Sequence, residues 1–214
     1  MLVPLSSALP QSQAGGTPPT VSPTVQSLTM SGPGCPIGAG GLVQQMRNNT
    51  PVFLFTEWGL ALPNTADDGQ DAKWCTEQIQ LANGPARMQL RIATVSVGGW
   101  ADLEPETKLQ FEVSTMLGDI VAGSKTAVIS HADLKDHEFD IDLDTAPADI
   151  WSECVDEKGI VPALTIQTKL TLVAAKRADG TFSSGVVGGE KTDLKKALSV
   201  HFDPVWRPCA ASGS

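Results

Sequence analysis

Apolar and polar residues alternate one by one along much of this chain. In TVQSLTM (24–30), Val25, Ser27 and Thr29 alternate with Gln26, Leu28 and Met30. MQLRIATVSV (88–97) sets Met88, Leu90, Ile92, Thr94 and Ser96 against Gln89, Arg91, Ala93, Val95 and Val97. KLQFEVSTML (108–117) gathers Leu109, Phe111 and Val113 on one side. HEFDIDLD (137–144) is the sharpest case, with Phe139, Ile141 and Leu143 opposed to Glu138, Asp140, Asp142 and Asp144. Successive side chains of a strand point to opposite faces, so each segment reads as a half-buried β-strand. ALTIQTKLTLVAA (163–175) adds a long strand and KALSVHF (196–202) the last one. LVQQM and VFLF read as a hairpin around RNNTP, with Pro51 as punctuation. Only PETKLQ (105–110) and TDLKKAL (192–198) have the make-up of a short helix. Many short strands with frequent Gly and Pro turns predict an all-β protein. The expected form is an antiparallel, jelly-roll-like β-sandwich with little helix.

The pattern fails at the start. Residues 1–46 carry no charged side chain, and PQSQAGGTPPTVSPT is rich in Pro, Ser, Thr and Gly. Such a stretch buries too little apolar surface to offset its ordering entropy. Residues 1–22 are therefore expected to be a flexible arm, 23–210 one sandwich domain and 211–214 a tail. MLVPLSSALP has no Lys or Arg ahead of its apolar run, which Pro4 breaks, so it does not read as an intact signal peptide.

Composition narrows the chemistry. The chain has 214 residues, 41% of them hydrophobic, which suits a real core. Its net charge is −9, with 24 acidic against 15 basic residues. No polybasic run is present, so nucleic acid and anionic lipid are not expected partners, nor is a membrane span. The four cysteines, Cys35, Cys75, Cys154 and Cys209, form no C-x-x-C pair. Widely spaced and even in number, they point to two disulfides in any of three connectivities, against the plainer alternative of four buried thiols.

Several segments have the right residue types and the wrong spacing. GDIVAGSKT (118–126) misses the phosphate-loop register because Ser124 stands between Gly123 and Lys125. There is no G-x-S-x-G and no H-E-x-x-H. His131, His137 and His201 are scattered, and NTADDGQD does not match a calcium loop. No cofactor and no metal are expected.

The succession of GCP (34–36), WCTEQIQLANGP (74–85), VSVGGWADL (95–103), WSEC (151–154) and VWRPC (205–209) resembles a family of small secreted proteins, mainly fungal. It is the family of domain of unknown function 4360. The likeness spans about residues 25–209. Departures are Trp100 in the Gly-aromatic turn and the insertion ALPNTADDGQDAK. The resemblance implies secretion to the extracellular space, a β-rich fold and two disulfides. These would be Cys35–Cys75 and Cys154–Cys209, with Trp151 and Trp206 near the second. It implies no activity.

Three kinds of function remain. An extracellular binding or interaction protein is favoured. Trp58, Trp74 and Trp100 are its candidates for stacking sugar rings, with a cell-wall or other polysaccharide as partner. A host surface protein is the partner in a purely interacting role. The alternative is an acid hydrolase of glycoside or peptide bonds using a carboxylate pair. Glu57 and Glu112 are its candidate catalytic residues because they sit among aromatic and aliphatic neighbours. The ordinary alternative for both is a solvent-facing position. Asn48-Asn49-Thr50 is an N-glycosylation sequon, expected in a hairpin turn and partly occupied because Pro51 follows it.

Overall fold

In the computed structural model the described residues are 23–35, 42–47, 50–63, 68–145, 149–188 and 196–210. The expected arm and tail, and Asn48, lie outside them. Among the described residues twelve strands form two sheets. They are β1 (Thr24–Ser31), β2 (Leu42–Arg47), β3 (Thr50–Phe55), β4 (Leu60–Leu62), β5 (Gln70–Ala82), β6 (Met88–Leu103), β7 (Thr107–Leu117), β8 (Ile120–Ser130), β9 (Glu138–Asp144), β10 (Leu164–Ala174), β11 (Gly185–Val187) and β12 (Leu198–Pro208). The first sheet runs β1-β5-β10-β7-β8, and the second β2-β3-β12-β6-β11-β4 with β9 also on β6. Every strand pairing is antiparallel. The helix reading fails for PETKLQ, most of which opens β7. TDLKKAL falls mostly outside the described residues; of those described, Lys196 is in a 3-10 turn and Leu198 opens β12. The helical turn described whole is 3-10, His131–Asp133, and the hydroxyl of the preceding Ser130 donates to Asp133.

The alternation read from the sequence builds the core. β7 buries Leu109, Phe111 and Val113, and β10 buries Leu164, Ile166, Leu170 and Leu172. Facing them, the second sheet contributes Phe53, Phe55, Leu90, Ile92, Val95, Val97, Leu198, Val200 and Phe202 to the same cluster. Phe111 and Phe139 meet with ring centroids 5.2 Å apart. Fully burying a side chain of this size stabilises by about 1.5–3 kcal/mol, so this one layer dominates the folding free energy.

Two disulfides, Cys35–Cys75 and Cys154–Cys209, lock the sandwich. The first ties the loop after β1 to β5. The second ties the segment before β10 to the end of β12, where Cys209 N–H also donates to the Arg87 carbonyl at 2.9 Å. Trp151 lies under two guanidinium groups, Arg91 at 5.3 Å and Arg207 at 4.2 Å from its ring centroid. VSVGGWADL is no turn: β6 runs straight through Gly98 and Gly99 to Leu103.

Candidate functional site

The outer face of the first sheet is set by strand register. Trp74 of β5 stands opposite Lys169 of β10, Lys169 opposite Glu112 of β7, and Glu112 opposite Thr126 of β8. The neighbouring row is Thr76, Gln167, Ser114 and Ser124. Their partners in the alternation on β5, β10 and β7, Cys75, Thr168 and Val113, are buried; on the edge strand β8 the corresponding residue is Lys125, which stands opposite Val113 and is exposed. Most of these outward side chains line a cleft of about 360 Å³, together with Lys125. Glu112 accepts a hydrogen bond from the Gln110 amide at 3.0 Å and lies 3.6 Å from Lys169 Nζ.

The loop quoted as GCP explains how Trp74 is held. Gly32 has φ +130°, and a methyl group there would come within 2.5 Å of Trp74 Cε3. Gly34 donates its N–H to the Trp74 carbonyl at 2.9 Å, and a methyl there would meet the Trp58 indole nitrogen at 2.5 Å. The glycines of this loop thus exist to let two indoles press against backbone. Trp74, beside Cys75 of the first disulfide, is left 40% exposed on a fixed support.

The three tryptophan candidates have three different fates. Trp58 is 1% exposed and belongs to the core, edge-on to Phe55 at 5.3 Å, so it offers no stacking surface. Trp100 carries Lys196 Nζ 4.5 Å from its ring centroid and the His137 ring at 5.6 Å. Its ring is already engaged. Trp74 presents a large exposed aromatic surface on the cleft.

The carboxylate candidates are not brought together. Glu57 lies on the connection between β3 and β4 and is not among the cleft residues. Among the described residues lining the cleft, Glu112 is the one carboxylate. The chain's desolvated acid is one that the alternation pattern does not single out. Glu77 on β5 is fully buried on the inner face, between Met30 and Ile166, and burial pushes its carboxyl up to about 8. Neither of its oxygens has a hydrogen-bond partner among the described residues, and the hydroxyls of Thr115 and Thr168 on the same inner face are also unpaired there. Sealed in the core, Glu77 cannot reach a substrate.

The histidines stay apart. His131 Nδ1 lies 2.7 Å from the Leu103 carbonyl, His137 lies 3.5 Å from Asp102, and His201 sits within β12. Among the described residues no three His, Cys, Asp or Glu side chains gather to hold a metal. Nor is any helix there long and apolar enough to cross a membrane. Lys169, Gln167 and Lys125 were missed as site residues. The alternation of QTKL sets the direction of Gln167 and Lys169, while Lys125 comes from the edge strand opposite the inward Val113, and nothing local tells which sheet face holds a tryptophan.

The family described as Domain of unknown function (DUF4360) matches residues 22–209, and the chain belongs to it. No curated protein matches by sequence. Among solved structures, TmCBM61 in complex with β-1,4-galactotriose is 8% identical, with 86% of this chain and 90% of that one covered, at a TM-score of 0.24. A family 11 carbohydrate-binding module from Clostridium thermocellum, bound to a mixed-linked tetrasaccharide, is 8% identical over 78% of this chain and 92% of its own, at 0.21. Tobacco necrosis virus is 10% identical over 90% and 95%, also at 0.21. At identities and TM-scores this low, these likenesses do not bear on what the chain binds.

Proposed function

We propose that this member of the DUF4360 family is an extracellular glycan-binding protein, and that the outer face of its five-stranded sheet is the binding surface. The observation that carries the reading is Trp74, an indole left 40% exposed on a rigid support in a cleft of amides and hydroxyls. A pyranose ring has an apolar C–H face and a rim of hydroxyls. An exposed indole complements the first, and side chains that both donate and accept, such as Gln167, Ser114, Ser124 and Thr126, complement the second. The row Trp74–Lys169–Glu112–Thr126 crosses three strand spacings, about 14 Å, which suits a short stretch of polysaccharide better than a single sugar. The two disulfides support an oxidising, extracellular setting.

The test is affinity electrophoresis through gels cast with a panel of soluble polysaccharides, followed by calorimetry on any that retard the protein. Wild type should be retarded by at least one. Trp74→Ala should weaken that binding by at least about thirtyfold, the loss expected of a central aromatic anchor worth ~2 kcal/mol. Equal binding by wild type and variant, with both folded, would remove the reading.

A further inference from the structure

The cleft has the opposite charge to the molecule. The chain as a whole carries −9. The cleft is lined by two cations, Lys125 and Lys169, and one anion, Glu112. Glu112 is already answered by Lys169 at 3.6 Å and by the Gln110 amide at 3.0 Å. Lys125 is exposed on β8, the edge strand of the sheet, and has no carboxylate partner among the described residues. By register Lys125 stands opposite the inward Val113 and reaches the cleft from the sheet edge, whereas a further cation, Lys108, lies on the outer face itself, two rows beyond Glu112 along β7. At the outward positions of the five strands, Glu112 is the one acid among the described residues. A protein with 24 acidic residues has kept all but one of them off this face and left a cation uncompensated at the β8 side of the cleft, three strand spacings, about 14 Å, from the exposed indole on β5.

We infer that the glycan is a uronic-acid polysaccharide, an inference that rests on the glycan reading above. In a uronate polymer one ring stacks its C–H face on Trp74, and the carboxylate of a ring farther along the chain meets Lys125 on β8 with a charge-assisted hydrogen bond. A densely sulfated chain would bring more negative charge than the cleft can answer, and the acidic remainder of the molecule would repel it. Lysine is a compact point charge on a flexible stem, so it can follow a carboxylate along a repeating chain without demanding one fixed geometry.

The experiment compares polygalacturonate and alginate with neutral galactan, xylan and mixed-linkage glucan, and with dextran sulfate, in affinity gels at about 50 mM and about 500 mM NaCl. The uronate polymers should retard wild type most, with affinity falling about tenfold between the two salts. Lys125→Glu, an exposed change that leaves the core intact, should weaken uronate binding at least about tenfold and at least about fivefold more than it weakens any neutral-glycan binding. Trp74→Ala should weaken both. Neutral glycans binding as tightly as uronates, or Lys125→Glu without effect on uronates, would overturn the inference while leaving the glycan reading standing. Dextran sulfate binding most tightly overturns the choice of uronate. Binding to none of the polymers overturns the inference and the glycan reading together.

Discussion

Glu77 is the residue whose environment departs furthest from its chemistry. It sits at an inward position of β5 with no exposed surface and no hydrogen-bond partner among the described residues, flanked in register by Met30 and Ile166. Desolvation disfavours the carboxylate, and the group ionises only near pH 8 instead of the ordinary 4.5. The sign of the linkage follows. Between those two values the unfolded chain has lost the proton and the native protein keeps it, so stability falls as pH rises. Below about pH 4.5 Glu77 has no linkage effect. Each pH unit climbed between the two values costs about 1.4 kcal/mol, so the penalty is about 3 kcal/mol by pH 7 and about 5 kcal/mol by pH 9. Three surface carboxylates act the other way at the acid end. Glu104, Asp133 and Asp179 are held below their usual range, first by hydrogen bonds from Ser184, Ser130 and Thr181 respectively, so what they contribute fades as pH drops through their native values. Glu77→Gln keeps the shape and removes the titration. Thermal unfolding should show the variant equal to or less stable than wild type at pH 4.5, with the difference moving in the variant's favour by roughly 6–12 °C between pH 4.5 and pH 7. A difference between the two proteins that does not change with pH would show that Glu77 is not a buried neutral acid.

At the scale of elements, legibility followed the regularity of alternation. β7 and β9 are readable because each keeps its apolar residues on one side: Leu109, Phe111 and Val113, and Phe139 and Leu143, are buried as expected, and Ile141 is half-buried against the core. β5 is not, although at 13 residues it is one of the long strands. Its alternation is inverted at two places. Trp74, the largest apolar side chain of the segment, points out, and Glu77 points in. Hydrophobic patterning therefore blurred at the strand that carries the site. Only its cysteine marked it, through the family likeness. The three-residue strands β4 and β11 are too short to show any period. The site itself was half legible. Trp74 and Glu112 were picked as candidates for different functions, and register across β10 brings them into one row. The support of that row is the turn after β1. Gly32→Ala would put a methyl group against the Trp74 ring and force an L residue into a positive φ. Its expected cost is about 2 kcal/mol of stability. More tellingly, it should weaken glycan binding about as much as Trp74→Ala while leaving every cleft side chain in the sequence. Wild-type affinity in a Gly32→Ala protein would mean that the indole needs no such support.

For the whole molecule the two disulfides do similar thermodynamic work and different functional work. They span 40 and 55 residues, and closing loops of those lengths in the unfolded chain corresponds to about 4 kcal/mol apiece by the chain-entropy account. On that ground alone, replacing either pair by serine should lower the unfolding temperature by about 8–16 °C for a domain of this size. Their positions separate them. Cys75 follows Trp74 directly, and Cys35 closes the glycine loop on which the indole rests. Cys154 and Cys209 join the segment beside Met88 and Leu90 to the end of β12, and neither lines the cleft. The double variant Cys154→Ser/Cys209→Ser should therefore melt earlier yet bind glycan, well below its melting temperature, within about twofold of wild type. Cys35→Ser/Cys75→Ser should lose both stability and affinity, because freeing the loop returns to Trp74 the conformational freedom that the bridge removes, and binding must then restrict it again. Calorimetric melting and affinity electrophoresis on wild type and the two double variants separate the two effects. Equal losses of affinity in the two double variants would place the effect in global destabilisation and detach the first disulfide from the binding face.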